Sequence, residues 1–252
     1  MAVDDTATKS LLHFNGSDAS TTFTDESGKT WSATGNAQLD TAQIKFGSAS
    51  GLFDGTGDYI STADHADWVM GTNNFTIDFW VRFNALPTTG GASNGQYLLS
   101  QPEAGSKGMA VLYWVWDGDN TNRRITFMTI NGGTIYVWGE FLLSLSVNTW
   151  YHLAFIRNGS NFRIYSDGVS LGDVTDSDSI IDFAASLLIG NSTQGVYGIP
   201  ANSYFNGWID EFRWSNGLAR WTANFYPPGA EYLPKVPPMP SLNQTVKRSN
   251  TY

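Results

Sequence analysis

Asp210 has the most unusual neighbours in this sequence. It lies in the stretch Tyr204-Phe-Asn-Gly-Trp-Ile-Asp-Glu-Phe-Arg-Trp-Ser-Asn-Gly-Leu-Ala-Arg-Trp-Thr-Ala-Asn-Phe-Tyr-Pro-Pro228. Read as a strand with a two-residue repeat, Trp208, Asp210, Phe212 and Trp214 share one face, and Ile209, Glu211 and Arg213 share the other. A carboxylate in an aromatic row costs several kcal/mol unless hydrogen bonds, a cation or a metal compensate it. Glu211 and Arg213 are expected to pair at the surface, where such a pair contributes at most about 1 kcal/mol. The polar loops Asn15-Gly-Ser-Asp18 and Asp25-Glu-Ser-Gly28 carry carboxylates beside glycines and backbone carbonyls. Those are ligands that calcium prefers, although a solvated turn has the same composition. His13, His65 and His152 have no zinc-site spacing, and there is no cysteine. His152, inside a strand, reads as a packed residue.

Three tryptophans, Trp114, Trp116 and Trp138, fall in strand-like runs between Ala110 and Phe141. They form either a sugar-stacking platform or packing between two sheets. Hydrolysis of a glycosidic bond needs two carboxylates about 5–9 Å apart. Asp210 and Glu211 are adjacent and point to opposite faces, so no catalysis is expected. The glycines of Phe53-Asp-Gly-Thr-Gly-Asp58 lack the Gly-Lys-Ser/Thr of a phosphate loop. A net charge of −9 argues against a nucleic-acid partner. No apolar run reaches about 18 residues, so no membrane partner is expected, and the start lacks the basic and apolar regions of a signal peptide. The expectation is a protein made in a cytoplasm.

The elements that position these residues are strands. With 26 glycines, 14% aromatic and only 15% charged residues, the 252-residue chain suits short strands and tight turns. Almost no helix is expected, because no window holds a 3.6-residue apolar period. Asn74-Phe-Thr-Ile-Asp-Phe-Trp-Val-Arg-Phe83 alternates cleanly, with Phe75, Ile77, Phe79, Val81 and Phe83 facing a core. From Leu86 to Gly108 only Tyr97-Leu-Leu-Ser100 reads as strand. Runs at Ala110–Trp116, Arg124–Ile130 and Thr134–Phe141 are separated by Asp117-Gly-Asp-Asn120 and Asn131-Gly-Gly133. Asn158-Gly159 and Asp167-Gly168 join Trp150–Arg157, Asn161–Ser166 and Val169–Val174 into a meander. No linker interrupts the strands, which implies one all-β, two-sheet antiparallel sandwich over 10–226, after an N-terminal arm at 1–9. Six of the nine prolines lie between Pro227 and Pro240, and no acid follows Glu231. Residues 227–252 therefore read as an extended Pro-rich tail. Pro234, Lys235, Pro237, Pro238, Lys247 and Arg248 are its candidate anchors to a partner, unless it folds back along its own domain.

Eight pieces in order carry a family resemblance: Leu12-His-Phe-Asn-Gly16, Asp25-Glu-Ser-Gly28, Phe46-Gly-Ser-Ala49, Phe53-Asp-Gly-Thr-Gly-Asp-Tyr-Ile60, Phe75-Thr-Ile-Asp-Phe-Trp80, Trp150-Tyr-His-Leu-Ala154, Tyr165-Ser-Asp-Gly168 and Gly207-Trp-Ile-Asp-Glu-Phe-Arg213. Together they resemble the laminin-G-like, concanavalin-A-like jelly-roll family. The ending Asp210 to Pro228 resembles the version found in tailed-bacteriophage structural proteins. The resemblance implies a jelly roll and a structural calcium held by Asp25 and Asp210. It also implies a non-catalytic virion protein, displayed to host-surface glycans and contacting other virion subunits, in which a homo-oligomer would be in place. The alternative is a decoration or tail-adaptor subunit with no glycan ligand, gripped by its tail. Virion assembly would account for the missing signal peptide. The family's hydrolases resemble Glu-x-Asp-x-x-Glu, which this chain lacks.

Overall fold

The computed structural model describes residues 5–88, 94–115, 121–195 and 199–233. Fifteen strands follow in order: β1 (Thr8–Leu12), β2 (Ser32–Thr34), β3 (Gln38–Asp40), β4 (Ser50–Asp54), β5 (Tyr59–Thr62), β6 (Phe75–Phe83), β7 (Asn94–Glu103), β8 (Lys107–Val115), β9 (Arg124–Asn131), β10 (Thr134–Leu142), β11 (Trp150–Asn158), β12 (Asn161–Ser166), β13 (Val169–Thr175), β14 (Leu187–Ile189) and β15 (Asn206–Asn216). The one helical turn among the described residues is a 3-10 turn at Ala66–Trp68. One sheet runs β13-β12-β11-β6-β15-β4-β3, with β1 also paired to β15; the other runs β10-β9-β8-β7-β14-β5-β2. All pairs are antiparallel. This is the jelly-roll sandwich read from the sequence.

The core lies between the sheets. Phe75, Ile77, Phe79, Val81 and Phe83 all point into it, each worth about 1.5–3 kcal/mol on burial. Phe79 stacks between Phe155 and Phe212, with ring centres 6.0 and 6.2 Å away. β7 extends beyond the expected Tyr97–Ser100 run at both ends, and Pro102 pairs near its end, opposite Gly108. The three-residue strands β2 and β3 are too short to show a period.

The alternation expected for the strand that carries Asp210 fails at Glu211. Its φ is 51°, and the pairing with β6 slips between Asp210↔Trp80 and Arg213↔Asp78. This β-bulge switches the phase of the strand. Ile209 faces the core before it, Phe212 and Trp214 after it. Trp208 and Asp210 thus lie on the outer face and not in line with Phe212 and Trp214. The expected Glu211–Arg213 pair is also absent, since both side chains find other partners.

At the β12–β13 turn, Asp167 (φ 48°) and Gly168 (φ 75°) give the two positive φ angles that a two-residue hairpin favours. A Cβ at Gly168 would collide with the Phe225 carbonyl. That close approach is where the chain after β15 crosses back over its own sheet. Trp221 and Phe225, stacked 3.9 Å apart, cover Ala154, Ile156 and Tyr165. The packed chain continues past residue 226 to Tyr232, which is buried.

Candidate functional site

Sequence and fold converge on a cleft at the β9–β10 edge. Tyr136 and Trp138, two apart on β10, fall on one side of the strand, and their rings stack 6.5 Å apart at 19°. Trp138 is 2% exposed and is held from behind. Its Nε1–H donates to Thr129 Oγ1 at 2.9 Å, and its ring lies 4.7 Å from Phe162. Tyr136 is 39% exposed. With Asn131, Asp178 and Ser179 they line a cleft of about 180 Å³. The Tyr136 hydroxyl and the Asn131, Asp178 and Ser179 side chains make no hydrogen bond within the described protein. An anchored aromatic face ringed by free donors and acceptors matches the chemistry of a sugar ring, apolar on its C–H face and hydroxylated at its rim. Asp178 is the one carboxylate among the lining residues, one short of a hydrolytic pair.

The other tryptophans behave differently. Trp114 is fully buried on the outer face of the second sheet, with Tyr97, Leu112, Met128 and Ile199, and donates to Thr126 Oγ1 at 2.8 Å. It offers no face to a ligand, which corrects the stacking role expected for it; nor does it pack between the sheets. Trp116 lies outside the described residues, as do Pro234, Lys235, Pro237, Pro238, Lys247 and Arg248. Tyr136 falls in the same aromatic run as Trp138, and the Tyr136-Val-Trp138 alternation pairs them, whereas Asn131 and the distant Asp176-Ser-Asp-Ser179 loop give no sequence sign of joining them.

The implied calcium requires Asp25 and Asp210 to present free carboxylate oxygens to a cation. Asp210 Oδ2 accepts the Lys45 and Phe46 N–H groups, both at 3.1 Å, and Oδ1 accepts the Glu211 N–H at 2.8 Å. Asp25 Oδ1 accepts the Leu11 and Ser27 N–H groups, while Oδ2 accepts the Ser10 hydroxyl at 2.6 Å and the Trp31 indole N–H at 3.1 Å. Seven donors aimed at two carboxylates present positive dipoles where a cation would sit. These residues do not fit a shared calcium. The N–H groups supply the compensation that Asp210 needs; burial still pushes its carboxyl up to about 8 against their pull.

Among the described residues, one group of His and carboxylate side chains lies close enough to share a cation: His13, Glu211 and Glu231, with ligand atoms within 4.8 Å of one another. His13 Nδ1 is 2.7 Å from Glu211 Oε1, and Glu211 Oε2 accepts the Tyr232 N–H at 2.7 Å. Although burial opposes it, the Glu211 hydrogen bond raises the His13 pKa above its ordinary value. The bulge thus aims Glu211 at the first strand and the C-terminal segment.

A second buried network resembles a catalytic triad in composition only. Asp78 Oδ1 accepts from Arg213 Nε at 3.0 Å; its Oδ2 accepts from Arg213 Nη2 at 2.8 Å and from the Tyr232 hydroxyl at 2.6 Å. His152 Nε2 lies 3.3 Å from the same oxygen. Burial pushes the Asp78 carboxyl up, but Arg213 and His152 outweigh it and hold it well below the usual range. Asp78 and His152 are closed to solvent, roofed by Trp221, Phe225 and Tyr232, so no substrate reaches them. His152 is therefore packed, as its place in the strand suggests, yet it has the acid partner that the sequence hid. A groove of about 700 Å³ lies beside this roof, and its acids are engaged: Asp5 with Arg220 and Glu231 with Asn15.

Residues 54–220 match the family model described as the concanavalin A-like lectin/glucanases superfamily. No curated protein matches the chain. Among solved structures it is similar to domain 4 of AbnA, a GH43 extracellular arabinanase from Geobacillus stearothermophilus, in complex with arabinotriose. The TM-score is 0.61 at 18% identity, covering 84% of this chain and 93% of that one. The binding domain of botulinum neurotoxin DC in complex with SialylT gives a TM-score of 0.59 at 16% identity, over 84% of this chain and 48% of that one. The binding domain of Paraclostridial mosquitocidal protein 1 gives 0.57 at 14%, over 82% and 48%. The chain thus spans about half the length of these two toxin domains.

Proposed function

Because the chain belongs to the concanavalin A-like lectin/glucanase superfamily, we propose that it is a non-catalytic carbohydrate-binding domain whose binding site is the Tyr136–Trp138 cleft. The observation that carries this reading is the partly open Tyr136 ring, backed by the buried Trp138, beside four polar side chains that make no hydrogen bond within the described protein. The ligand class is a surface glycan, engaged one ring at a time. A cleft of about 180 Å³ is smaller than the roughly 300–1,000 Å³ of sites that enclose drug-sized ligands. Structural neighbours solved with arabinotriose and SialylT support a saccharide ligand for this architecture. The resemblance of Asp210 to Pro228 to tailed-bacteriophage proteins supports display on a virion, facing host-surface carbohydrate beside other virion subunits. Repeated copies there would raise a weak single-site affinity through avidity.

The test is binding of fluorescently labelled full-length protein to a panel of bacterial surface polysaccharides. At least one should bind, and Tyr136→Ala and Asp178→Asn should each weaken it while leaving the melting temperature unchanged. Loss of a stacking ring is worth about 0.5–1.5 kcal/mol beyond its area, or roughly 2–13-fold in affinity. Binding to no polysaccharide, or binding indifferent to both variants, would overturn the assignment.

A further inference from the structure

We propose that the outer face of the β6-containing sheet carries a second recognition site, centred on Arg82 between Trp150 and Trp208, that takes a carboxylate-bearing sugar residue. Arg82 on β6 stands directly opposite Trp150 of β11 on one side and Trp208 of β15 on the other. The row continues through Leu52 of β4 to Gln38 of β3. All five side chains are half-buried. Five strands about 4.8 Å apart make a strip roughly 19 Å long. Elsewhere on this face, Trp221 and Phe225 cover part of β11 and β12, and Lys45 and Phe46 lie against Trp80. The Arg82 row is where that cover stops.

The strip is built to hold its shape. The Arg82 guanidinium lies 4.9 Å from the Trp208 ring centre. The ring is pinned by its Nε1–H donating to Asp40 Oδ2 at 2.6 Å, and Asp40 Oδ1 accepts the Ala42 N–H at 2.8 Å. Every other described arginine uses its donors inside the protein. Arg213, Arg163, Arg220 and Arg124 meet Asp78, Asp173, Asp5 and Glu140, while Arg157 and Arg123 donate to backbone carbonyls. Among the described residues, only the Arg82 guanidinium has neither a hydrogen bond nor an ion pair. In a chain of net charge −9, an unpaired guanidinium flanked by two indoles is a positive, aromatic spot in a negative surround. A planar guanidinium stacked on one ring keeps its edge donors free, and they match a carboxylate two-pronged. The indole of Trp150 is then placed for the C–H face of the same sugar. A neutral sugar would satisfy the rings and leave the donors hydrated.

The site lies on the opposite sheet from the Tyr136 cleft and stands or falls separately from it. The probes are trigalacturonate and an α2,8-linked sialic acid trimer, with neutral maltotriose and a sulfated dextran fragment as comparators, titrated into full-length protein by calorimetry. At least one carboxylated probe should bind, more tightly than maltotriose and the sulfated fragment. Arg82→Gln should weaken it about 10-fold or more and Arg82→Lys by less, with the melting temperature of both variants unchanged. Failure of both carboxylated probes to bind, or undiminished binding by Arg82→Gln, would overturn the proposal. So would equal binding of the sulfated fragment.

Discussion

Replacing Asp78 with Asn should destabilise the protein far more than any surface change, because Asp78 alone neutralises Arg213. Arg213 is 9% exposed, and both of its bonds to Asp78 are charge-assisted, at 3.0 and 2.8 Å. An amide at that position keeps the shape but removes the charge, and a buried ion left unpaired costs about 3–5 kcal/mol. Tyr232→Phe removes the 2.6 Å hydroxyl bond to the same carboxylate, which retains its other donors, and the 3.1 Å contact of that hydroxyl with His152 Nε2. That change should cost about 1.5 kcal/mol, the low end for a bond to a charged group. Since Tyr232 also clamps the returning C-terminal segment, its loss should open residues 221–233 to hydrogen exchange before the sandwich unfolds. The assay is urea unfolding of both single variants and the double variant. The double should fall short of the sum, because Asp78→Asn already removes the charge that Tyr232 serves. A cost below about 1 kcal/mol for Asp78→Asn, or strict additivity, would mean that water screens this network, and the reasoning fails.

The remaining expectations concern pH, metal and backbone. Asp210, pushed up to about 8 in the fold, keeps a proton that the unfolded chain releases near its ordinary 3.8. Stability should therefore decline as pH rises from about 4 to 8, by at most about 1.4 kcal/mol per unit, and Asp210→Asn should flatten that decline in pH-dependent urea midpoints. His13, raised by Glu211, contributes fully below its unfolded value near 6.5 and is lost as pH rises through its folded value; His13→Gln should remove an alkaline component. Asp78 has the opposite sign, its depressed pKa giving stability that disappears as pH falls below the unfolded 3.8. EDTA should leave the melting temperature unchanged, because the oxygens of Asp25 and Asp210 face N–H and O–H donors; an EDTA-induced drop abolished by Asp210→Ala would refute this. Gly168→Ala should cost at least about 1–2 kcal/mol in urea unfolding, for its left-handed backbone and the encounter with the Phe225 carbonyl.

The sandwich was legible because alternation in β6 and the Asn-Gly and Asp-Gly turns are local signals, each confined to about ten residues. The bulge at Glu211 was not. No glycine or proline marks it, and the positive φ is held by tertiary partners, His13 and the Tyr232 N–H, that come from both ends of the chain. One extra residue there inverted the reading of the whole strand: Asp210 left the aromatic row, and Arg213 passed from a surface partner to Asp78, 135 residues away. The same limit hid the cleft. Tyr136 and Trp138 were visible as a pair, but Asp178 reaches them only through the return of the chain after β13. It also made Trp114 look available, since the Ile199 segment that closes over it is distant in sequence.

These partners also bear on recognition versus catalysis. Hydrolysis needs carboxylates that can accept or give a proton to a substrate in a cleft. Here the fully buried acids are committed to the fold: Asp78 to Arg213 and Tyr232, Asp210 to three backbone N–H groups, Glu211 to His13, and Asp58 to the N–H groups of Asn36 and Asp54. The uncommitted polar groups stand elsewhere, beside aromatic faces, at Tyr136 on one sheet and Arg82 on the other. Groups that pair with nothing inside, next to rings that are partly open, suit reversible binding of a hydroxylated or acidic ligand. The segment from Trp221 to Tyr232 seals the constellation of Asp78, His152 and Tyr232. Opening that seal with Tyr232→Ala should expose Asp78 and His152 to solvent and still produce no cleavage of any bound polysaccharide. Asp78, bound through both oxygens to Arg213, is held as the anion and has no proton to give a glycosidic oxygen.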